Sequence, residues 1–234
     1  MKGKLYLIPS PLGDNEITEV LPATTIRTAC SLKCFVVEET RTARRFLSRA
    51  GLKGHIEELE FHELNEHTLP AEVEALYPLF ERGDVGLISE AGLPAVADPG
   101  AQLVALCHRK GIEVVPLVGP SALMMALMAS GMNGQSFAFC GYLPAKTDER
   151  KEALKDIEKR SKALKQSQII IETPYRNDAF FADALRYLQP GTRLCVAADL
   201  TLPDQTIRTA SVEQWKKGPA FTIGKRPCVF IILG

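Results

Sequence analysis

Apolar residues in the first half of the chain come in short runs, each followed by a Gly/Pro-rich or acidic loop and then by a helical pattern. Leu5–Ile8 leads into Pro9-Ser-Pro-Leu-Gly13, and Cys34–Val37 into Glu38-Glu-Thr-Arg41. Val85–Ile88 leads into Ser89-Glu-Ala-Gly-Leu-Pro94, and the run 112–118 into Gly119-Pro-Ser-Ala122. Short apolar runs bounded by turn residues predict buried strands, and their alternation with helical stretches predicts a parallel α/β sheet. Parallel strands share a direction, so the four loops are expected along one sheet edge, where open α/β sheets bind ligands.

Asp98-Pro99 predicts an N-cap and first helical residue for a helix through Lys110, which Gly111 ends. After Ser121, a second helix carries the small residues Ala122, Ala126 and Ala129 at helical spacing, allowing close approach to a sheet. Beyond it the pattern changes. A strand over 136–143 precedes a charged helix over 148–165, a strand over 168–172 and a helix over 176–188. Strands over 193–199, 206–210 and 227–233 finish the chain with few intervening helices, which predicts a mixed sheet. The expected fold class is therefore α/β with two α/β domains, residues 1–118 with a parallel sheet and 119–234 with a mixed one, and a ligand cleft between them. The charges of 149–165 read most simply as a solvated helix face.

Composition narrows the chemistry. Lys+Arg and Asp+Glu are 28 each in 234 residues, so no global positive field points to nucleic acid, although a local basic patch is compatible with neutrality. Six cysteines without a C-x-x-C pair suggest reduced core residues and a cytoplasmic protein. The first apolar stretch is too short for a signal peptide, and no run is long enough to span a membrane. There is no G-x-G-x-x-G; Gly218 to Arg226 does not fit a phosphate loop, and His62 and His67 are spaced wrongly for a zinc-protease helix. No metal is expected.

Glu38-Glu39-Thr40-Arg41 has two readings: acidic residues facing a helix dipole, or functional groups on the loop edge. Ser121 likewise reads as a helix cap at a position that also suits a ligand carboxylate or hydroxyl. Six motifs taken together carry a resemblance. Pro9-Ser-Pro-Leu-Gly13, Glu38-Glu-Thr-Arg41, His62-Glu-Leu-Asn-Glu66, Ser89-Glu-Ala-Gly-Leu-Pro94 with Asp98-Pro-Gly100, Pro116-Leu-Val-Gly-Pro-Ser-Ala122 and Gly141-Tyr-Leu-Pro-Ala-Lys146 stand in this order. In this the chain resembles the tetrapyrrole-methylase superfamily, nearest its bacterial small-subunit ribosomal RNA (cytidine 2′-O)-methyltransferase branch. It departs from that branch at Glu39, Glu63, Leu64, Glu90, Leu93, Ala198, Asp199 and Leu202, and in Lys225-Arg226-Pro227.

The resemblance implies S-adenosylmethionine held between two α/β domains, usually in a homodimer. Carried over motif by motif, Pro9, Leu12, Gly13, Glu90, Ala91, Gly92, Ala95, Val96, Ser121 and Ala122 would line the cofactor from the first domain, and Tyr142, Leu143, Ala197 and Ala198 from the second. Methyl transfer from a sulfonium depends chiefly on alignment, whereas a ribose hydroxyl also calls for a base or a nearby cation. Glu39, Arg41 and Lys146 are the catalytic candidates; Lys146 could equally hold a phosphate or be a plain surface lysine. The expected partner is ribosomal RNA or the small ribosomal subunit, with Arg41, Arg44, Arg45, Lys146, Arg150 and Lys151 as a basic rim. Two alternatives stay open: a tetrapyrrole-like or other small-molecule acceptor, and a non-catalytic cofactor-binding protein of the same fold.

Overall fold

The structure, a computed structural model, describes residues 2–234. The chain divides into two compact units, the first ending at Ser121 and the second beginning at Ala122, just past the Val118/Gly119 position suggested by the sequence pattern. In the first unit β1 (Leu5–Ile8), β2 (Cys34–Val37), β3 (Glu60–Glu63), β4 (Val85–Ile88) and β5 (Val114–Pro116) pair in the order β3-β2-β4-β1-β5. Every pairing is parallel. The expected strands β1, β2 and β4 coincide with the apolar runs, while β5 occupies only the middle of 112–118. β3 was not expected. Its sequence, Glu-Phe-His-Glu, carries no apolar run because an edge strand pairs on one side only and is half solvated.

The helices are α1 (Ile17–Val20), α2 (Ala23–Ser31), α3 (Thr40–Leu47), α4 (Pro70–Glu74), α5 (Leu79–Arg82) and α6 (Ala101–Lys110). α6 starts later than Asp98-Pro99 suggests. The Asp98 carboxylate instead accepts from the N–H of Ala95 at 3.2 Å and of Gly100 at 2.7 Å, so it closes a turn ahead of the helix. Gly111 does end α6, in the left-handed region at φ 67°. Alternation along the strands sends side chains to two faces, so Val36 joins a core with Leu5, Phe80 and Leu103, while Phe35 and Val37 join one with Ile8, Phe46 and Ile88.

The second unit contains α7 (Ala122–Ser130), β6 (Phe137–Gly141), α8 (Thr147–Leu164), β7 (Ser167–Ile171), α9 (Asn177–Tyr187), β8 (Arg193–Ala198), β9 (Thr206–Ser211), α10 (Val212–Lys217) and β10 (Cys228–Leu233). Its sheet runs β6-β7-β10-β8-β9, parallel between β6 and β7 and antiparallel elsewhere, so it is mixed as expected. Phe180 and Phe230, with ring centroids 4.5 Å apart, sit in a core with Leu154, Val196 and Trp215. α8 is more than a solvated face. Arg150, Leu154, Ile157, Glu158 and Ser161 form a buried stripe at helical spacing, and Glu158 accepts from the Thr192 hydroxyl and, at 2.8 Å, from the N–H of Gln189. This sheet order places the loops after β6, β7 and β8 at the same edge as the segments that enter β9 and β10.

Candidate functional site

At the carboxyl edge of the first sheet the loops after β1, β4 and β5 are packed backbone against backbone. Ser10 N–H donates to Gly92 O at 2.9 Å and Gly92 N–H to Ser10 O at 3.1 Å, a single antiparallel bridge between two loops. The Ser10 hydroxyl donates to Ser89 O at 2.7 Å, and the Ser89 hydroxyl to Gly92 O at 2.9 Å. Gly92 has φ +75°, and a Cβ there would lie 3.2 Å from the Leu12 side chain and 3.5 Å from Pro120 O. A Cβ on Gly119 would lie 2.2 Å from the Cβ of Pro9. The first-unit residues Pro9, Leu12, Gly13, Glu90, Ala91, Gly92 and the turn before Ser121 and Ala122 are thereby drawn along one edge. Ala95 and Ala97, at φ 65° and 57°, wind the rest of the β4 loop and leave Val96 exposed. Such left-handed alanines mark local strain of the kind found at ligand sites.

Three glutamates on this edge differ in charge behaviour. Glu39 caps α3, accepting from the N–H of Arg41 at 2.8 Å and from the N–H and hydroxyl of Thr42 at 2.7 and 2.6 Å. The Thr42 hydroxyl and then the Arg41 N–H hold its carboxyl below the ordinary value. Glu38 is pushed the other way, by burial first and then by Asp98, Glu90 and Glu66. Glu90 is also raised, chiefly by burial, with the Thr42 hydroxyl opposing and Glu39 and Asp98 reinforcing. Beside them a cavity of about 300 Å³ is lined by Ser10, Gly13, Thr42, Arg45, Arg49 and Glu90.

The second unit holds the remaining candidates. Tyr142 is exposed and Leu143 buried in the loop after β6; Lys146, 82% exposed, lies 3.3 Å from Glu149. This loop is anchored by Arg150, whose side chain is 4% exposed. Its guanidinium donates to Ala145 O at 2.8 Å and Pro144 O at 3.4 Å, and to Asp183 at 2.8 and 2.5 Å. Ala197 and Ala198 close β8 with buried side chains, leaving the backbone as their contact group. Asp199 follows at φ 51° and takes the Arg226 guanidinium at 2.5 Å.

Residues 4–215 match the family model described as Tetrapyrrole (Corrin/Porphyrin) Methylases. The chain belongs to this methylase family. The "Ribosomal RNA small subunit methyltransferase I" of Escherichia coli O157:H7 is 33% identical over 217 residues, covering 90% of this chain and 70% of that protein. The protein of the same name from Vibrio cholerae is 32% identical over 206 residues, covering 87% of this chain and 67% of its own length. Aligned lengths therefore span about two thirds of these relatives. The fold is shared with a structure titled "Crystal structure of the methyltransferase CobJ", at TM-score 0.66 and 14% identity, covering 99% of this chain and 94% of that one.

Within the tetrapyrrole methylase frame, the structure adds residues that the sequence reading did not single out. Glu38 sits beside the expected Glu39, and only its burial sets it apart. Ser10 is legible as the one hydroxyl in a Pro-Ser-Pro loop, but its partners, Ser89 and Gly92, lie in the loop after β4, far along the chain. At the β7 edge the Glu172 carboxylate is buried, holding Arg176 at 2.6 Å, and Asn177 donates to Gly224 O and Arg226 O at 3.1 and 2.7 Å. The Asn177 bonds strap down residues 224 and 226, and neither feature shows in sequence beyond an ordinary Thr-Pro turn.

Proposed function

We propose that this methylase transfers a methyl group from S-adenosylmethionine to a ribose 2′-hydroxyl of small-subunit ribosomal RNA. The observation that carries the reading is the likeness, over most of the chain, to relatives named for ribosomal RNA methylation. The residues on the first-unit edge suit the donor. Asp98 adds to the burial that disfavours the negative charge of Glu38 and Glu90, an environment that a sulfonium cation relieves, and Gly92 and Gly119 keep the loops close enough to present backbone groups.

Pro9, Leu12, Gly13, Glu90, Ala91, Gly92, Ala95, Val96 and Ser121 of the first unit, with Ala122 at the start of the second, would hold the donor. Tyr142 would do so from the second, with Leu143, Ala197 and Ala198 contributing backbone. When bound, the donor supplies an already activated methyl. The chain contributes alignment and proton handling. Glu39, committed to its cap and kept acidic, is poorly suited to accept a proton; Glu38 and Glu90, with raised pKa values, are better placed. Arg41 serves as a cation toward the hydroxyl or a neighbouring phosphate, and Lys146, which has Glu149 beside it, as a cation toward the hydroxyl.

The reading extends to a cytoplasmic homodimer. Its support is the state of the six cysteines, all free, and an exposed apolar set on the second unit that includes Met124, Met128, Phe137 and Phe139. Among the described residues no helix is long and apolar enough to cross a membrane.

The test is incubation with methyl-labelled S-adenosylmethionine and small ribosomal subunits from cells lacking the protein, followed by alkaline digestion. Label in an alkali-resistant dinucleotide is the expected result. Unlabelled RNA from a protein that binds the donor would overturn the reading and turn the search to small-molecule acceptors.

A further inference from the structure

The basic rim expected from sequence does not survive as a unit. Just ahead of α8 Lys146 pairs with Glu149, and on the helix Arg150 is buried on Asp183 and Lys151 lies 3.9 Å from Glu152. On α3 and the turn after it the balance is different. Residues 40–53 carry Arg41, Arg44, Arg45, Arg49 and Lys53 and not one acidic residue. Glu57 takes Arg44, and Asp14 takes Arg49 at 2.6 Å, both from outside the segment. Arg45 is exposed and, among the described residues, has no carboxylate partner. Arg41 is exposed one helical turn earlier on the same face, with Glu39 as its neighbouring charge. The cavity of about 300 Å³ that Arg45 and Arg49 help to line also holds Asp14 and Glu90, so it is the solvent-facing side of α3 that offers uncompensated positive charge.

A chain with no net charge needs a local patch of this kind to hold a polyanion, and the planar fork of arginine is the side chain best matched to phosphate oxygens. We propose that the exposed face of α3, led by Arg45 with Arg41 beside it, docks the sugar-phosphate backbone of the RNA substrate. This rests on the RNA reading above. It adds that α3 and not α8 supplies the contact, and that the contact is to backbone and independent of base sequence.

The experiment measures binding of the full chain to a fluorescent single-stranded oligoribonucleotide and to small ribosomal subunits lacking the modification, across a salt series. Arg45→Glu is expected to weaken binding about tenfold at low salt and to make the slope of log K against log salt shallower by about 0.7. Arg45→Lys, which keeps the charge, is expected to restore most of the affinity. Lys151→Glu on α8 is expected to change it less than about twofold. The far-ultraviolet circular dichroism spectrum and thermal midpoint, expected to be unchanged in all three, report an intact fold. RNA binding by Arg45→Glu that equals wild type, or an equal loss in Lys151→Glu, overturns the proposal. The two readings fail separately. Arg45-dependent RNA binding without methyl transfer would sink the proposed activity and leave the docking surface standing, whereas normal RNA methylation and binding by Arg45→Glu would do the reverse.

Discussion

Glu38 and Glu39 are adjacent, and identical in type, yet their surroundings move their proton affinities in opposite directions. Glu39 gives its oxygens to the first N–H groups of α3, which favours the charged form. Its stabilisation is present above the ordinary value of 4.5 and is lost as pH falls through its depressed folded value. Glu38 and Glu90, raised mainly by burial, favour the protonated form, so their contribution is present below 4.5 and is lost as pH rises through their raised values. Thermal melts should therefore give opposite signs at pH 7. Glu39→Ala lowers the melting temperature and Glu90→Gln raises it, and the Glu90→Gln gain shrinks toward pH 4. The capping role of Glu39 was legible, because an acidic residue before a helical pattern is a local signal. The burial of Glu38 was not, since the groups that enclose it come from other loops.

At the scale of elements, α8 shows how far a pattern of charges can mislead. Its sequence alternates signs like a surface helix, but Arg150 and Glu158 lie on the buried stripe and tie down the loop after β6 and the turn before β8. Removing one member of a buried ion pair leaves the other uncompensated. Arg150→Met is accordingly expected to destabilise by about 3–5 kcal/mol in urea unfolding. Gly119→Ala tests the opposing loops in the same assay, with about 1–3 kcal/mol expected because the new methyl would overlap Pro9. Elements with two flanking neighbours, such as β1, β2 and β4, announced themselves as apolar runs. The edge strand β3 did not, and α6 begins late because the Asp98 carboxylate turns back to the N–H groups of Ala95 and Gly100, so the helix starts after Gly100 without a side-chain cap.

The molecule as a whole is two units, each with a sheet and a core of its own. Buried thiols report on them separately. Cys107 in the first unit is pushed up to about 11 and Cys228 in the second to about 12, in both cases by burial. Neither is expected to react with a thiol reagent at neutral pH in the native state. Labelling rates along a denaturant series should rise with the opening of each thiol's own unit. Rapid labelling of either thiol under native conditions would contradict the described cores.

By itself the sequence determined the α/β class, the strands that carry apolar runs, the parallel and mixed character of the two sheets, and the order of motifs that marks a tetrapyrrole methylase. Those features depend on residues close in the chain, through periodicity, turn chemistry and capping. The tertiary structure decided which charges remain available. It gave Glu39 to a cap, Arg150 to a buried anchor and Lys146 to a surface pair, raised Glu38 and Glu90, and left Arg45 exposed beside a cavity. Those outcomes depend on partners brought in from distant segments, whose burial and proximity no local pattern encodes.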